Sequence, residues 1–200
     1  MKIETIILDR GHATLNKDKE YITPGKQFTF PDKLHVYEGY ENQKYVEHLA
    51  LYAKEKGFKV VYTIEPSNPA DISLGSRVSI ANASVNAKKS LYISVHNNAG
   101  GGEGTEIFTT IGQTNSDKYA QAIIDKIQSV FPLRKVRVDI KDGDEDKEEN
   151  FYVIKHTSMP AILIEYGFFD NRTDYDFLSN PINIDKLARA TIDGIISINQ

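Results

Sequence analysis

The 200-residue chain has no cysteine, so disulfides and thiolate ligands are excluded and any transition metal must be held through nitrogen and oxygen. It also lacks an apolar run of membrane-spanning length, and its hydrophobic and charged contents, 40% and 26%, are those of a globular protein. Positive charge is not in excess. The formal net charge is −4 and the isoelectric point about 5.8, which argues against general nucleic-acid binding, because phosphate recognition needs a concentrated basic face. The start, Met1-Lys2-Ile3-Glu4-Thr5-Ile6, has neither the apolar core nor the small-residue cleavage site of a secretory signal, so the expectation is cytoplasmic synthesis without Sec-type export. Repeats and low-complexity segments are absent too, and the length suits one domain with a sizeable core.

What is present is a recurring grammar. Leu91-Tyr92-Ile93-Ser94-Val95 runs into His96-Asn97-Asn98, Ile6-Ile7-Leu8-Asp9 into Arg10-Gly11-His12, and Ala161-Ile162-Leu163-Ile164 into Glu165. Each reads as a buried strand emerging at a sheet edge, where working groups of open α/β sheets gather. Three strand-terminal residues of ligand type suggest one shared site.

In chain order, Ile3 to Asp9 is the first strand and Arg10 to Ala13 the turn leaving it. Thr14 to Lys33, with Phe28 and Phe30, is too irregular for a helix and reads as a lip over the site. A helix follows from about Glu38, with Tyr45, Val46, Leu49, Ala50 and Ala53 at helical spacing and Gly57 as its stop. Phe58 to Ile64 is the second strand, and a helix through Arg77, Ile80, Ala81 and Val85 leads to the strand ending at His96. Gly100 to Gly104 forms a flexible loop, Thr105 to Thr110 a strand, and Ser116 to Phe131 an amphipathic helix. Asp139 to Glu149 is read as solvated loop, not metal site, because its charges lack apolar anchors. Phe151 to Lys155 and Ala161 to Glu165 are read as strands, and Pro181 to Ile198 as a terminal helix. The βαβ alternation predicts a single-domain α/β fold with a central, twisted, mostly parallel sheet and helices on both faces.

Two histidines and a carboxylate are a standard ligand set for catalytic zinc, with a fourth position left to water. A further carboxylate outside the ligand set can accept the water's proton and deliver it to a leaving amine. His12, His96, one of Glu38 or Glu41, and Glu165 fill these roles. The bland readings are a hydrogen-bonded loop histidine for either His12 or His96, acids favoured by a helix start for Glu38 and Glu41, and a solvated strand-end acid for Glu165. The apolar residues flanking Glu165 favour a raised pKa instead. His35, His48 and His156 are read as structural or surface residues, His35 being the nearest to an exception. Arg77 and Asn82 are read as braces.

With these pieces assembled, the chain resembles the zinc-dependent N-acetylmuramoyl-L-alanine amidases, the type 3 amidase domain of bacterial autolysins and phage endolysins. The resemblance rests on Ile7 to His12, Glu38 with Asn42, Ser73 to Asn82, Ser94 to Ala99, and Met159 to Phe168. It implies that residues 1–200 form an amidase catalytic domain, with Zn2+ on His12, Glu38 and His96 and Glu165 as catalytic acid and base. Glu38 is preferred to Glu41 because Asn42 follows it at the family's spacing. The implied reaction is hydrolysis of the amide between N-acetylmuramic acid and the L-alanine of the peptidoglycan stem peptide. Arg10 stands where the family usually has proline, and Tyr166 where it usually has leucine. The expected setting is a phage or prophage endolysin, made in the cytoplasm and acting on the wall after release. The alternatives are a catalytically silent peptidoglycan-binding domain and a zinc peptidase cutting within the stem peptide. Neither nucleic acid nor membrane is an expected partner.

Overall fold

All six residues of β1 (Thr5–Arg10) are buried, which a strand can do only when its sheet is covered on both faces. The computed structural model describes residues 2–83, 86–141 and 143–199; the helix position assigned to Val85, and Asp142 of the charged segment, lie outside the described residues. β1 is flanked by β4 (Lys59–Tyr62) and β5 (Ser90–Asn98), both parallel to it. β8 (Ala161–Phe168) pairs parallel with β5. β6 (Glu106–Thr109) then adds antiparallel to β8, and β7 (Lys147–Glu148) adds parallel to β6. The sheet order is β4-β1-β5-β8-β6-β7, so a parallel centre carries one reversal near its edge, as expected of a mostly parallel sheet.

The two faces are filled differently. α1 (Glu38–Glu55), α3 (Asp117–Val130) and α6 (Pro181–Ile198) bury Leu49, Ile123, Ile127, Leu187 and Ile192 with Ile6, Leu8, Ile93, Ile162 and Ile164 in the main core. On the other face, α2 (Leu74–Ala83) and α4 (Tyr152–Lys155) close a smaller core of Ile7, Val78, Tyr92, Val153, Ile154 and Leu163. Alternation along the strands sends Ile6 and Leu8 to one core and Ile7 to the other.

Four local expectations change. Phe151 to Lys155 is not a strand: Tyr152–Lys155 makes one helical turn, because adjacent Val153 and Ile154 are both buried and flanked by exposed residues, a pattern that alternation cannot produce. The end of the lip pairs with the residues that follow it, β2 (Gln27–Thr29) and β3 (His35–Tyr37) forming a hairpin anchored by a small core of Phe30, Val36 and Phe169. Arg172–Leu178 forms an additional helix, α5, capped by Asn171, whose side chain accepts from Asp174 N. The charged segment 139–149 is solvated only in part, since Asp146 is 1% exposed.

Candidate metal centre and active site

The centre is assembled at the carboxyl ends of β1, β5 and β8 and at the first residue of α1. Gly11 N donates to Val95 O at 3.0 Å, continuing the β1–β5 pairing one step past the strand. A Cβ at Gly11 would overlap the His96 imidazole, so the absent side chain is the space that the ring occupies. His12 follows with φ +63°, a left-handed conformation uncommon for a residue with a Cβ. Its neighbours hold it there: Arg10 Nε donates to His12 O at 3.1 Å and Ala13 N donates to Thr23 Oγ1 at 2.9 Å.

Glu38 reaches the site because α1 abuts the β1 loop. Gly39 permits that approach, as a Cβ there would run into the Ala13 carbonyl. One turn on, Asn42 is fully buried. It donates to Gly11 O at 3.0 Å and accepts from Asn97 Nδ2 at 2.8 Å, tying β1, α1 and β5 together directly behind the three ligand-type residues.

Glu38 Oε1 lies 3.2 Å from His12 Nε2 and 3.1 Å from His96 Nδ1, and the three donor atoms fall within 4.8 Å of one another. The His12–Glu38 approach is misaligned as a hydrogen bond, and the buried His12 Nε2 has no partner. An orphaned buried nitrogen converging with a second nitrogen and a carboxylate oxygen fits a divalent metal ion. Glu41 is elsewhere: its carboxylate takes both bonds from Lys44 Nζ, at 2.9 and 2.8 Å. Of the two acids, it is Glu38 that meets the imidazoles.

Glu165 stands in register with His96 across the β5–β8 pair, so both side chains leave the same face of the sheet. Its Oε2 is buried without a hydrogen-bond partner. Burial, reinforced by the charges of Glu38 and Glu106 and opposed by His96 and Lys26, pushes its carboxyl up to about 8. Burial also acts on Glu38, but the adjoining His12 and His96 imidazoles outweigh it and hold Glu38 well below the usual carboxylate range. On His12 burial prevails over Glu38 and lowers its pKa, favouring the neutral imidazole that metals bind. Two carboxylates in one site thus have opposed protonation preferences, the arrangement expected when one is a ligand and the other handles protons.

Residues 6–197 match the family described as N-acetylmuramoyl-L-alanine amidase. The chain belongs to that family. It is 33% identical over 136 residues to the amidase LytC of Bacillus subtilis (strain 168), covering 66% of this chain and 25% of that protein. To the amidase CwlM of Bacillus licheniformis it is 33% identical over 126 residues, covering 62% of this chain and 45% of that one. The chain thus spans less than half the length of these relatives. Among solved structures, the N-acetylmuramoyl-L-alanine amidase from Clostridium difficile 630 superposes with a TM-score of 0.75 at 26% identity, covering 98% of this chain and 97% of that chain.

The amidase family's usual proline is replaced here by a working residue. Arg10 is fully buried, and its guanidinium caps carbonyls of Pro66, of Asn68 at 2.9 Å and of Ala70 at 3.0 Å. It fastens the 65–71 loop beside the centre. Tyr166, in place of leucine, points to the opposite core, where it stacks on Tyr45 at 4.3 Å and its hydroxyl meets Thr191 at 2.9 Å.

Arg77 and Asn82 are braces, as expected. Arg77 binds Asp9 at 2.8 Å and Asp71 at 2.9 Å, and Asn82 bonds His156 O and Ser158 N. His35 stays on the hairpin, bonded to Thr29 and Gln27, and His48 pairs with Asp185. Three contributors escaped the sequence reading. Lys26, from the lip, brings its ammonium to 3.6 Å from Glu38 Oε2. Glu106 lies opposite Glu165 across the β6–β8 pair, its charge neutralised by Arg137 and Lys147 at 2.5 and 2.6 Å. Asp9 sits beneath the centre, held by Arg77, Ser94 and Thr63. Only Asp9 had a local signal, as a carboxylate inside an apolar strand. The lip does not seal the centre, for the His12 and His96 side chains retain 19% and 16% exposure.

Proposed function

We propose that residues 1–200 are an N-acetylmuramoyl-L-alanine amidase catalytic domain that hydrolyses the amide between the lactyl group of N-acetylmuramic acid and the L-alanine of the stem peptide. The observation that carries this reading is the convergence of His12, Glu38 and His96 with Glu165 in register beside His96, in a chain of this family. His12, Glu38 and His96 would hold Zn2+. When bound, zinc supplies a Lewis acid for the amide carbonyl and lowers the pKa of coordinated water to about 7.

The chain's own residues do the rest. Glu165, buried and without a hydrogen-bond donor on Oε2, accepts the proton of the attacking water and returns it to the departing alanine nitrogen. A carboxyl shifted toward neutrality suits both directions of transfer. Asn42 ties Gly11 and Asn97 together behind the centre, Gly11 leaves room for the His96 ring, and Lys26 adds positive charge beside Glu38, of the sign that favours an oxygen gathering negative charge.

Mass spectrometry of products released from purified peptidoglycan tests this reading. Free stem peptides beginning at L-alanine, lost with chelator and regained with zinc, are expected. Cleavage between two amino acids would instead identify a zinc peptidase, and wall binding without release a silent binding domain. The endolysin setting, with cytoplasmic accumulation before contact with the wall, belongs to the same proposal and is supported by a resemblance that includes phage lysins. Expression in a bacterial host, with lysis only after the membrane is permeabilised, is the expected behaviour; lysis or wall turnover without permeabilisation would point to an autolysin.

A further inference from the structure

Away from the histidine centre, a second group of carboxylates lies at the outer edge of the sheet. Asp146 is 1% exposed, and its Oδ2 accepts from Thr109 Oγ1, at the end of β6, at 2.6 Å. Its Oδ1, like Oδ1 of Asp144, is withdrawn from solvent without a hydrogen-bond partner. The two carboxyl groups approach within hydrogen-bonding range of each other, yet neither carries a donor when ionised. Something positive is missing between them: a proton or a cation.

The surroundings favour the cation. A cavity of about 200 Å³ adjoins Asp146 and is lined by Ile111, Asp139, Lys141 and Glu148. Lys141 is turned to Asp139, 3.1 Å away, and is 87% exposed. Apart from Lys141, the polar side chains lining the cavity are carboxylates, the ligand chemistry of hard cations and not of zinc. Gly143, at φ +110°, bends the loop that carries Asp144. Burial and the neighbouring charge of Asp144 push the Asp146 carboxyl up to about 7, the direction expected where two acids lie close without a counter-ion.

We propose that Asp144 and Asp146 form a calcium-class cation site, separate from the His12–Glu38–His96 centre, with Asp139 and Glu148 lining the cavity from which water completes the coordination. A carboxylate-rich loop suits Ca2+, which accepts six to eight oxygens in irregular geometry, better than Mg2+, which demands an octahedron. Its occupation clamps the loop to β6 through Thr109 and fixes the two-residue edge strand β7. That strand matters because its Lys147 neutralises Glu106, the carboxylate opposite Glu165.

The test is calcium titration of zinc-loaded protein, free of other divalent ions, by isothermal calorimetry and thermal melting. One Ca2+ per chain is expected, with a dissociation constant of about 10–1,000 µM, a rise in Tm, and a smaller rise with Mg2+. Asp144→Asn and Asp146→Asn are each expected to weaken binding by about tenfold or more. His12→Ala is expected to keep it, which separates this site from the zinc centre. If Asp146→Asn fails to fold, the less buried Asp144→Asn carries the comparison. No calcium uptake by the parent overturns the proposal in favour of a proton shared by the pair, and so does uptake that both variants retain.

Discussion

His96 and Glu165 occupy the same register position on neighbouring parallel strands, and this one pairing sets a metal-ligand type nitrogen beside a buried carboxyl whose Oε2 has no hydrogen-bond partner. Neither residue needs a loop to find the other. Adjacent strands hold in-register side chains about 5 Å apart, so the sheet itself supplies the spacing. The rigidity of a doubly covered strand pair keeps the two groups oriented.

In the proposed reaction Glu165 handles protons and lies outside the ligand set. Glu165→Gln is therefore expected to lower peptide release by about 10²- to 10⁴-fold while the protein still takes up one zinc per chain. Product release and metal content, measured on the same preparation, check this. Undiminished turnover would remove Glu165 from its role.

Glu38 and Glu41 are separated by one helical turn and by their partners. Glu38 faces two imidazoles, whereas Glu41 faces Lys44. Glu38→Gln is expected to lose stoichiometric zinc and activity together. Glu41→Gln is expected to keep both, at a stability cost of about 1 kcal/mol or less, because its lysine partner can turn to water. Equal zinc loss in the two variants would contradict the assignment.

Gly11 is where the His96 ring needs room. Gly11→Ala is expected to displace the imidazole, weakening zinc binding, with an overpacking cost of about 1–3 kcal/mol. Zinc affinity and urea unfolding, measured side by side, separate the local effect from the global one; unchanged affinity would mean that the ring accommodates a methyl group.

Arg10 holds the 65–71 loop by its carbonyls. Arg10→Ala leaves those carbonyls without their donor and is expected to cost about 2–4 kcal/mol. Limited proteolysis is expected to show new cleavage between residues 65 and 71. A loop that stays resistant would show that Arg10 is dispensable there.

The raised Glu165 pKa carries a pH signature in metal-free protein. Below its ordinary value of 4.5 the carboxyl is protonated in both folded and unfolded chains and contributes no slope. Between 4.5 and about 8 the unfolded chain has released the proton and the folded one retains it, so stability falls as pH rises. The Tm of chelator-treated protein is expected to decline across that window more steeply than that of Glu165→Gln. Identical slopes would show that Glu165 is not displaced from its ordinary value.

The sequence by itself determined the strands of the parallel centre, the helices at Glu38, Ser116 and Pro181, and the convergence of His12, His96 and Glu165, because strand-end residues at the edge of a parallel sheet converge whatever the loops do. Periodicity in a covered sheet is a local signal: Ile6, Ile7 and Leu8 announce two cores within three residues. Only the tertiary structure decided between Glu38 and Glu41, since both lie in the first turn of α1 and what separates them is which partner, imidazole or Lys44, comes from elsewhere in the chain. The same holds for Lys26 and Glu106, brought to the site by a hairpin and by an antiparallel reversal that no local pattern records. It holds as well for Asp146, whose charge reads as solvated in sequence and is buried against Thr109 at the end of β6. Long-range pairing sets the surroundings of a charged group, and those surroundings fix its chemistry.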